Sequence, residues 1–156
     1  MRSRPASLRA ANALVLTGSA ALLGGALAFQ YLGHLAPCEM CLWQRWPHVA
    51  ALVLGLVAWA SGNARPVVVL AALAVLVTAG LGYFHAGVEY HWWAGPPACT
   101  TQPLAAGSNF ITSMLATQLI RCDAAAWTLF GISMAGYNAL ISTFVGASAL
   151  WLTLKR

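Results

Sequence analysis

Charge is what this chain has least of. Only 7% of its 156 residues are Asp, Glu, Lys or Arg, while 60% are hydrophobic. Soluble domains carry roughly a quarter charged residues, so the sequence cannot solvate a globular surface and reads as a membrane protein. A basic patch is also missing. The net charge of +5 is spread over residues at the ends of apolar segments, where membrane topology explains them better than phosphate binding does. Internal repeats, low-complexity tracts and a separate soluble stretch are absent too, which makes 1–156 a single membrane domain.

What remains is an alternation of apolar segments and short polar connections. Residues 11–30 are uncharged and close to the roughly 20 that a spanning helix needs. The basic start and Ala26-Leu27-Ala28 imitate a secretory leader, but the length of the run and the spans that follow at once favour a first span. Further spans are expected at 43–60, 67–88 and 129–154, with outer loops at 31–42 and 89–126. Ser61 to Pro66 is a tight polar turn that forces the third span to return antiparallel. Pro47 leaves the start of the second span open: it is either a first-turn proline or lies inside a helix that begins earlier. In the second loop Phe110, Ile111, Met114, Leu115 and Leu119 recur at helical spacing and predict a short amphipathic surface helix. The expected fold is an all-α membrane protein: a four-helix bundle with two cysteine-bearing outer loops.

Orientation follows from the cations. With the N-terminus inside, the inner segments hold Arg2, Arg4, Arg9, Arg65, Lys155 and Arg156, and the outer ones only Arg45 and Arg121. That is the positive-inside bias. Trp43, Trp46, Trp92, Trp93 and Trp127 then fall at the outer boundary and Trp59 and Trp151 at the inner one. All four cysteines face the extracytoplasmic side, which tolerates disulfides.

The chemistry gathers at Pro37-Cys38-Glu39-Met40-Cys41, with Arg45 four residues on. A Cys-x-x-Cys pair can cycle between dithiol and disulfide, and a nearby cation favours the thiolate. A static bridge and half a metal site are the plainer alternatives. Zinc would want two more Cys or His ligands at matching spacing, and the sequence does not offer them, so no metal is expected. Cys99 and Cys122, as a pair, would close a Gly/Pro-rich loop. That bridge reads equally as a staple worth about 3 kcal/mol or as a shuttle disulfide, and the first pair favours the shuttle. Arg45 either snorkels at the boundary or steadies an anion. His48, His85, His91 and Glu89 lie near outer segment ends, where a hydrogen bond to a carbonyl or a proton relay is open to them.

Together these residues resemble the bacterial disulfide bond formation protein B (DsbB) family. The match rests on Pro37-Cys-x-x-Cys41, Gln44-Arg45 and Pro47-His48, the second cysteine pair, Arg121-Cys122-Asp123, Trp127, Gly131 and Met134, and it covers essentially the whole chain. The resemblance implies a protein-dithiol:quinone oxidoreductase of the bacterial inner membrane with both termini cytoplasmic. A reduced DsbA-like thioredoxin-fold protein would attack the Cys99–Cys122 disulfide at Cys99. Cys122 would attack Cys38, and Cys41 would be left as a thiolate beside Arg45. Electrons would pass to a membrane quinone, ubiquinone or menaquinone, with Cys41, Arg45, His48 and His91 as candidate contacts. The resting pairing, Cys99 with Cys122 or Cys38 with Cys122, stays open. The rival readings are a vitamin-K-epoxide-reductase-like thiol/quinone enzyme, whose Cys-x-x-Cys belongs on the last span, and a non-catalytic scaffold with static bridges.

Overall fold

The computed structural model describes residues 6–100 and 121–155. Four long helices carry it: α1 (Ala6–Tyr31), α2 (Glu39–Ala60), α3 (Arg65–Glu89) and, after a one-turn helix α4 (Pro97–Thr100), α5 (Met134–Leu154). Three of them, α1, α3 and α5, are long and apolar enough to cross a membrane. The 22-residue α2 falls short on composition, because Gln44, Arg45, Pro47 and His48 crowd its outer turns. The surface helix expected around Phe110 to Leu119 lies outside the described residues.

Small side chains set the packing. The core joins Ala11, Ala51, Ala58, Ala71, Ala72 and Ala149 with Val15, Val68, Val75 and Val145. Such residues let backbones approach in lipid, where burial of apolar surface gives helices little drive to associate. α3 is central and packs on α5, α2 and α1. At Gly82 it meets the α5 backbone closely: a Cβ would sit 3.0 Å from the Ala139 nitrogen and 3.1 Å from the Ala135 oxygen. At the end away from the cysteines, Asn12 donates from Nδ2 to the Gly55 carbonyl (3.0 Å) and to Asn63 Oδ1 (2.8 Å), tying α1 to α2 and its following turn.

Two boundaries differ from expectation. α2 begins at Glu39, with Cys38 as its N-cap, so Pro47 is inside the helix. Proline removes one backbone donor, which leaves the Trp43 carbonyl without its bond four residues on. Starting early also places Cys41 and Arg45 one turn apart on one face. The last helix begins at Met134 and not at 129. Thr128–Leu129 (β1) and Ile132–Ser133 (β2) form a hairpin instead, an exception to the all-α expectation. Phe130 and Gly131 turn it at φ of 50° and 76°, the left-handed pair that a tight two-residue hairpin needs. Ser133 then caps α5, its Oγ accepting from Gly136 N–H at 3.1 Å. Tyr90 pins the hairpin to α3: its hydroxyl accepts from Ser133 N–H at 2.9 Å and donates to the Gly131 carbonyl at 3.0 Å.

Candidate active site: buried sulfurs beside an apolar cavity

All four cysteines meet in one place. Cys38, Cys99 and Cys122 are buried in a cluster with Met40 and Val88, and Cys41 packs against it. Cys99 and Cys122 form a disulfide with their Cα atoms 5.5 Å apart. Cys38 and Cys41 are unbonded thiols with Sγ atoms 3.0 Å apart. The helix N-terminus explains that second geometry. As N-cap, Cys38 turns its sulfur back to accept from Cys41 N–H at 3.2 Å, which brings it over the Cys41 side chain. The second pair therefore touches the first, and no travel between distant stations is needed for the two to exchange.

The two thiols differ electrostatically. Cys41 stands above the apolar stretch of α2, and its pKa is pulled down, first by the hydrogen bond from Cys38 and, among smaller causes, by the Arg45 charge, against the opposing effect of burial. Cys38 is pushed up, because it gives that hydrogen bond and is desolvated beside the Cys41 charge. Cys38 is the donor of the pair and Cys41 the acceptor, so Cys41 is the more acidic of the two. Among the described residues, Cys38, Cys41 and His85 bring three possible ligand atoms within 4.8 Å of one another, one short of the four that a structural zinc takes; the Sγ–Sγ separation is 3.0 Å. It suits a pair that opens and closes a disulfide.

Beside Cys41 lies a cavity of about 330 Å³, walled by α1, α2 and α5 and by Trp127. That is within the usual size for a small-molecule site. Its wall is apolar, with Leu22, Ala26, Phe29, Tyr137 and Ile141, and its polar groups come from α2: Cys41, Gln44, Arg45 and His48, with Asn138 opposite. Arg45 donates from Nη1 to Gln30 Oε1 at 2.5 Å, while its Nε is buried without a partner. His48 is bonded through Nε2 to Asn138 Oδ1 at 3.0 Å, and its Nδ1 is likewise buried and unpartnered. An apolar slot with one spare donor and one spare acceptor fits a flat carbonyl-bearing molecule.

The family model for disulfide bond formation protein DsbB matches residues 8–152. This chain belongs to the DsbB family. It is 30% identical to the disulfide bond formation protein B of Dechloromonas aromatica (strain RCB), across 96% of this chain and 94% of that one. It is 36% identical to the disulfide bond formation protein B of Shewanella sp. (strain MR-4), across 80% of this chain and 75% of that one. With the namesake of Stutzerimonas stutzeri (strain A1501) it shares 27% identity across 98% and 99%. No solved structure matches the chain. As a DsbB-family member it is a multi-pass membrane oxidoreductase of disulfide-bond formation.

Within the DsbB frame, the structure brings Cys41, Arg45 and His48 to one cavity and the four cysteines to one cluster. His91 is elsewhere. It sits exposed in the turn after α3 with φ of 60°, outside the cavity wall. Thr78 and Asn138, not singled out above, complete the site together with Gln44, His85 and Glu89. Gln44 donates from Nε2 to the Met40 carbonyl (3.1 Å) and lies 2.8 Å from His85 Nδ1. Asn138 donates from Nδ2 to Gln44 Oε1 (2.8 Å) and Thr78 Oγ1 (3.2 Å), and Thr78 donates to the Gln44 carbonyl (2.8 Å). His85 Nε2 reaches Cys38 Sγ at 3.5 Å and Glu89 Oε1 at 3.7 Å. The signal for this network was polarity itself, since ionisable and amide side chains within spanning helices are rarely idle.

Proposed function

We propose that the protein reoxidises a periplasmic thioredoxin-fold dithiol oxidant of the DsbA type and passes the electrons to a membrane quinone. The observation that carries this reading is the contiguity of two cysteine pairs with an apolar cavity whose polar wall is Cys41, Arg45 and His48. The DsbA–DsbB–quinone chain is the established agent that keeps the bacterial periplasm oxidising, and the names of the relatives carry the same expectation to this chain. In this proposal 1–156 is one domain of four spans, α2 included, with the termini cytoplasmic and the cysteines outside.

The partner's thiolate attacks Cys99, and Cys122 leaves with the electron pair. With the Cys38–Cys41 pair in its oxidised, disulfide form, Cys122 attacks Cys38, the Cys38–Cys41 bond breaks, and the pair of electrons lands on Cys41. Each transfer is thiol–disulfide exchange, which needs a thiolate and a reachable sulfur. Cys41 suits the last position because its neighbours favour the anion. Arg45 Nε is placed to donate to a carbonyl oxygen and His48 Nδ1 to accept from a hydroxyl. Ubiquinone or menaquinone, when bound, supplies a two-electron, two-proton sink; the chain supplies position, charge and exclusion of water.

The test mixes purified protein with a reduced thioredoxin-fold dithiol protein and ubiquinone-1 and follows quinone absorbance. Wild-type protein consumes quinone in proportion to dithiol, and Cys38→Ser and Cys41→Ser do not. Wild-type turnover in either variant would refute the proposal.

A further inference from the structure

His85 stands between the two cysteine pairs, and its hydrogen-bonding polarity can be worked out. The Met40 carbonyl can only accept, so the end of Gln44 that meets it at 3.1 Å is the NH₂. The same nitrogen lies 2.8 Å from His85 Nδ1, so Nδ1 must be the bare, accepting nitrogen. A second chain of bonds fixes the same orientation. Thr78 gives its hydroxyl proton to the Gln44 carbonyl and therefore accepts from Asn138 Nδ2, which also donates to Gln44 Oε1. Two backbone carbonyls thus lock both amides. A doubly protonated imidazole would set N–H against N–H₂ at Gln44, so the ring is neutral with its hydrogen on Nε2. That hydrogen faces Cys38 Sγ at 3.5 Å, with Glu89 Oε1 at 3.7 Å and the Cys122 backbone carbonyl also within its reach. The ring is 1% exposed, so water does not compete for it.

We infer that His85 is a catalytic hydrogen-bond donor whose Nε2–H holds the negative charge on Cys38 Sγ when the two cysteine pairs exchange. Cys38 needs such a donor more than Cys41 does. It is buried, its sulfur is 3.0 Å from the other anion of the pair, and the cation Arg45 lines the cavity on the Cys41 side. The inference rests on the relay proposed above. In that relay the partner's second thiolate attacks the mixed disulfide and frees Cys99 as a thiolate, and the Cys38–Cys122 bond is resolved when that thiolate attacks Cys122 Sγ. The Cys99–Cys122 bond forms, the Cys38–Cys122 bond breaks, and the electron pair goes to Cys38 Sγ. No proton or outside oxidant enters that step. A hydrogen bond to a charged group commands about 10- to 100-fold in rate.

Two measurements test it. In wild-type protein carrying ¹⁵N-histidine, the shifts of His85 are expected to show a neutral ring protonated at Nε2. A ring protonated at Nδ1, or at both nitrogens, overturns the inference without any variant. The second measurement adds reduced partner, quenches with acid, and follows the Cys38–Cys122 species on gels after alkylation. Its decay is expected to slow 10- to 100-fold in His85→Leu and to stay within about threefold of wild type in His85→Gln, which offers an oxygen to Gln44 and an N–H to Cys38. Unslowed decay in folded His85→Leu overturns the inference. Should that variant fail to fold, decay slowed more than tenfold in His85→Gln does the same. Quinone consumption by wild-type protein is recorded alongside. Its absence would refute the quinone reading while leaving both His85 measurements interpretable.

Discussion

Replacing Arg45 by methionine separates two duties that a cation beside a thiolate can have. The side chain keeps a flexible apolar stem and loses the guanidinium, with its charge and donors. Two structural facts fix the expected sizes. Arg45 Nε is buried and unpartnered in the cavity wall, so the largest loss is a charge-assisted hydrogen bond to a bound carbonyl, about 1.5–3 kcal/mol. That corresponds to a 10- to 100-fold fall in kcat/KM for quinone. The Cys41 thiolate owes its low pKa first to the Cys38 hydrogen bond and only in smaller part to Arg45, so Cys41 chemistry should shift little. Cys38→Ala removes the larger cause. The Cys41 pKa then rises, its thiolate fraction at neutral pH falls, and the pH midpoint of its alkylation moves upward. The assay pairs steady-state quinone kinetics with iodoacetamide trapping of Cys41 across pH 5–10. The reasoning fails if Arg45→Met moves the alkylation midpoint as far as Cys38→Ala does while leaving quinone kinetics unchanged.

Two further outcomes concern the scaffold. Asn138→Leu strands Gln44 Oε1 and His48 Nε2–H inside the bundle and should cost about 2–4 kcal/mol in detergent unfolding; a variant as stable as wild type would show that the network is dispensable. Gly82→Val drives a branched side chain into the α5 backbone 3.0–3.1 Å away, and should cost at least about 1–3 kcal/mol. Gly80→Ala on the same helix meets nothing within 4 Å and should be neutral or slightly stabilising, so equal losses at both positions would refute the packing argument.

The helices were legible because lipid imposes length and apolarity, and α1, α3 and α5 obey both. Their ends were less so. Thr128 to Ser133 reads as apolar enough to continue a span, yet Phe130-Gly131 turns it, and the hydroxyls of Tyr90, a residue 43 positions away, and Tyr137 help hold it as a hairpin. The cysteines, Arg45 and His48 were visible through spacing and position. His91 looked equivalent to His48 on those grounds, and one left-handed residue turned it away. Gln44 and Asn138, with Thr78 between them, were hard to weigh because their meaning is reciprocal. Each is an isolated polar residue on its own helix and becomes informative only when paired across the bundle.

Burial also acts as insulation. Cys122 presents no surface, and Cys38 and Cys99 are each 6% exposed. Among the buried sulfurs, a small reductant or dissolved oxygen meets protein first; Cys41, half-buried at the cavity wall, is the more open one. Leakage of electrons from the Cys99–Cys122 pair is therefore restricted by access, whatever its redox potential. In the relay proposed above, a partner with enough binding surface to draw Cys99 outward would feed the circuit.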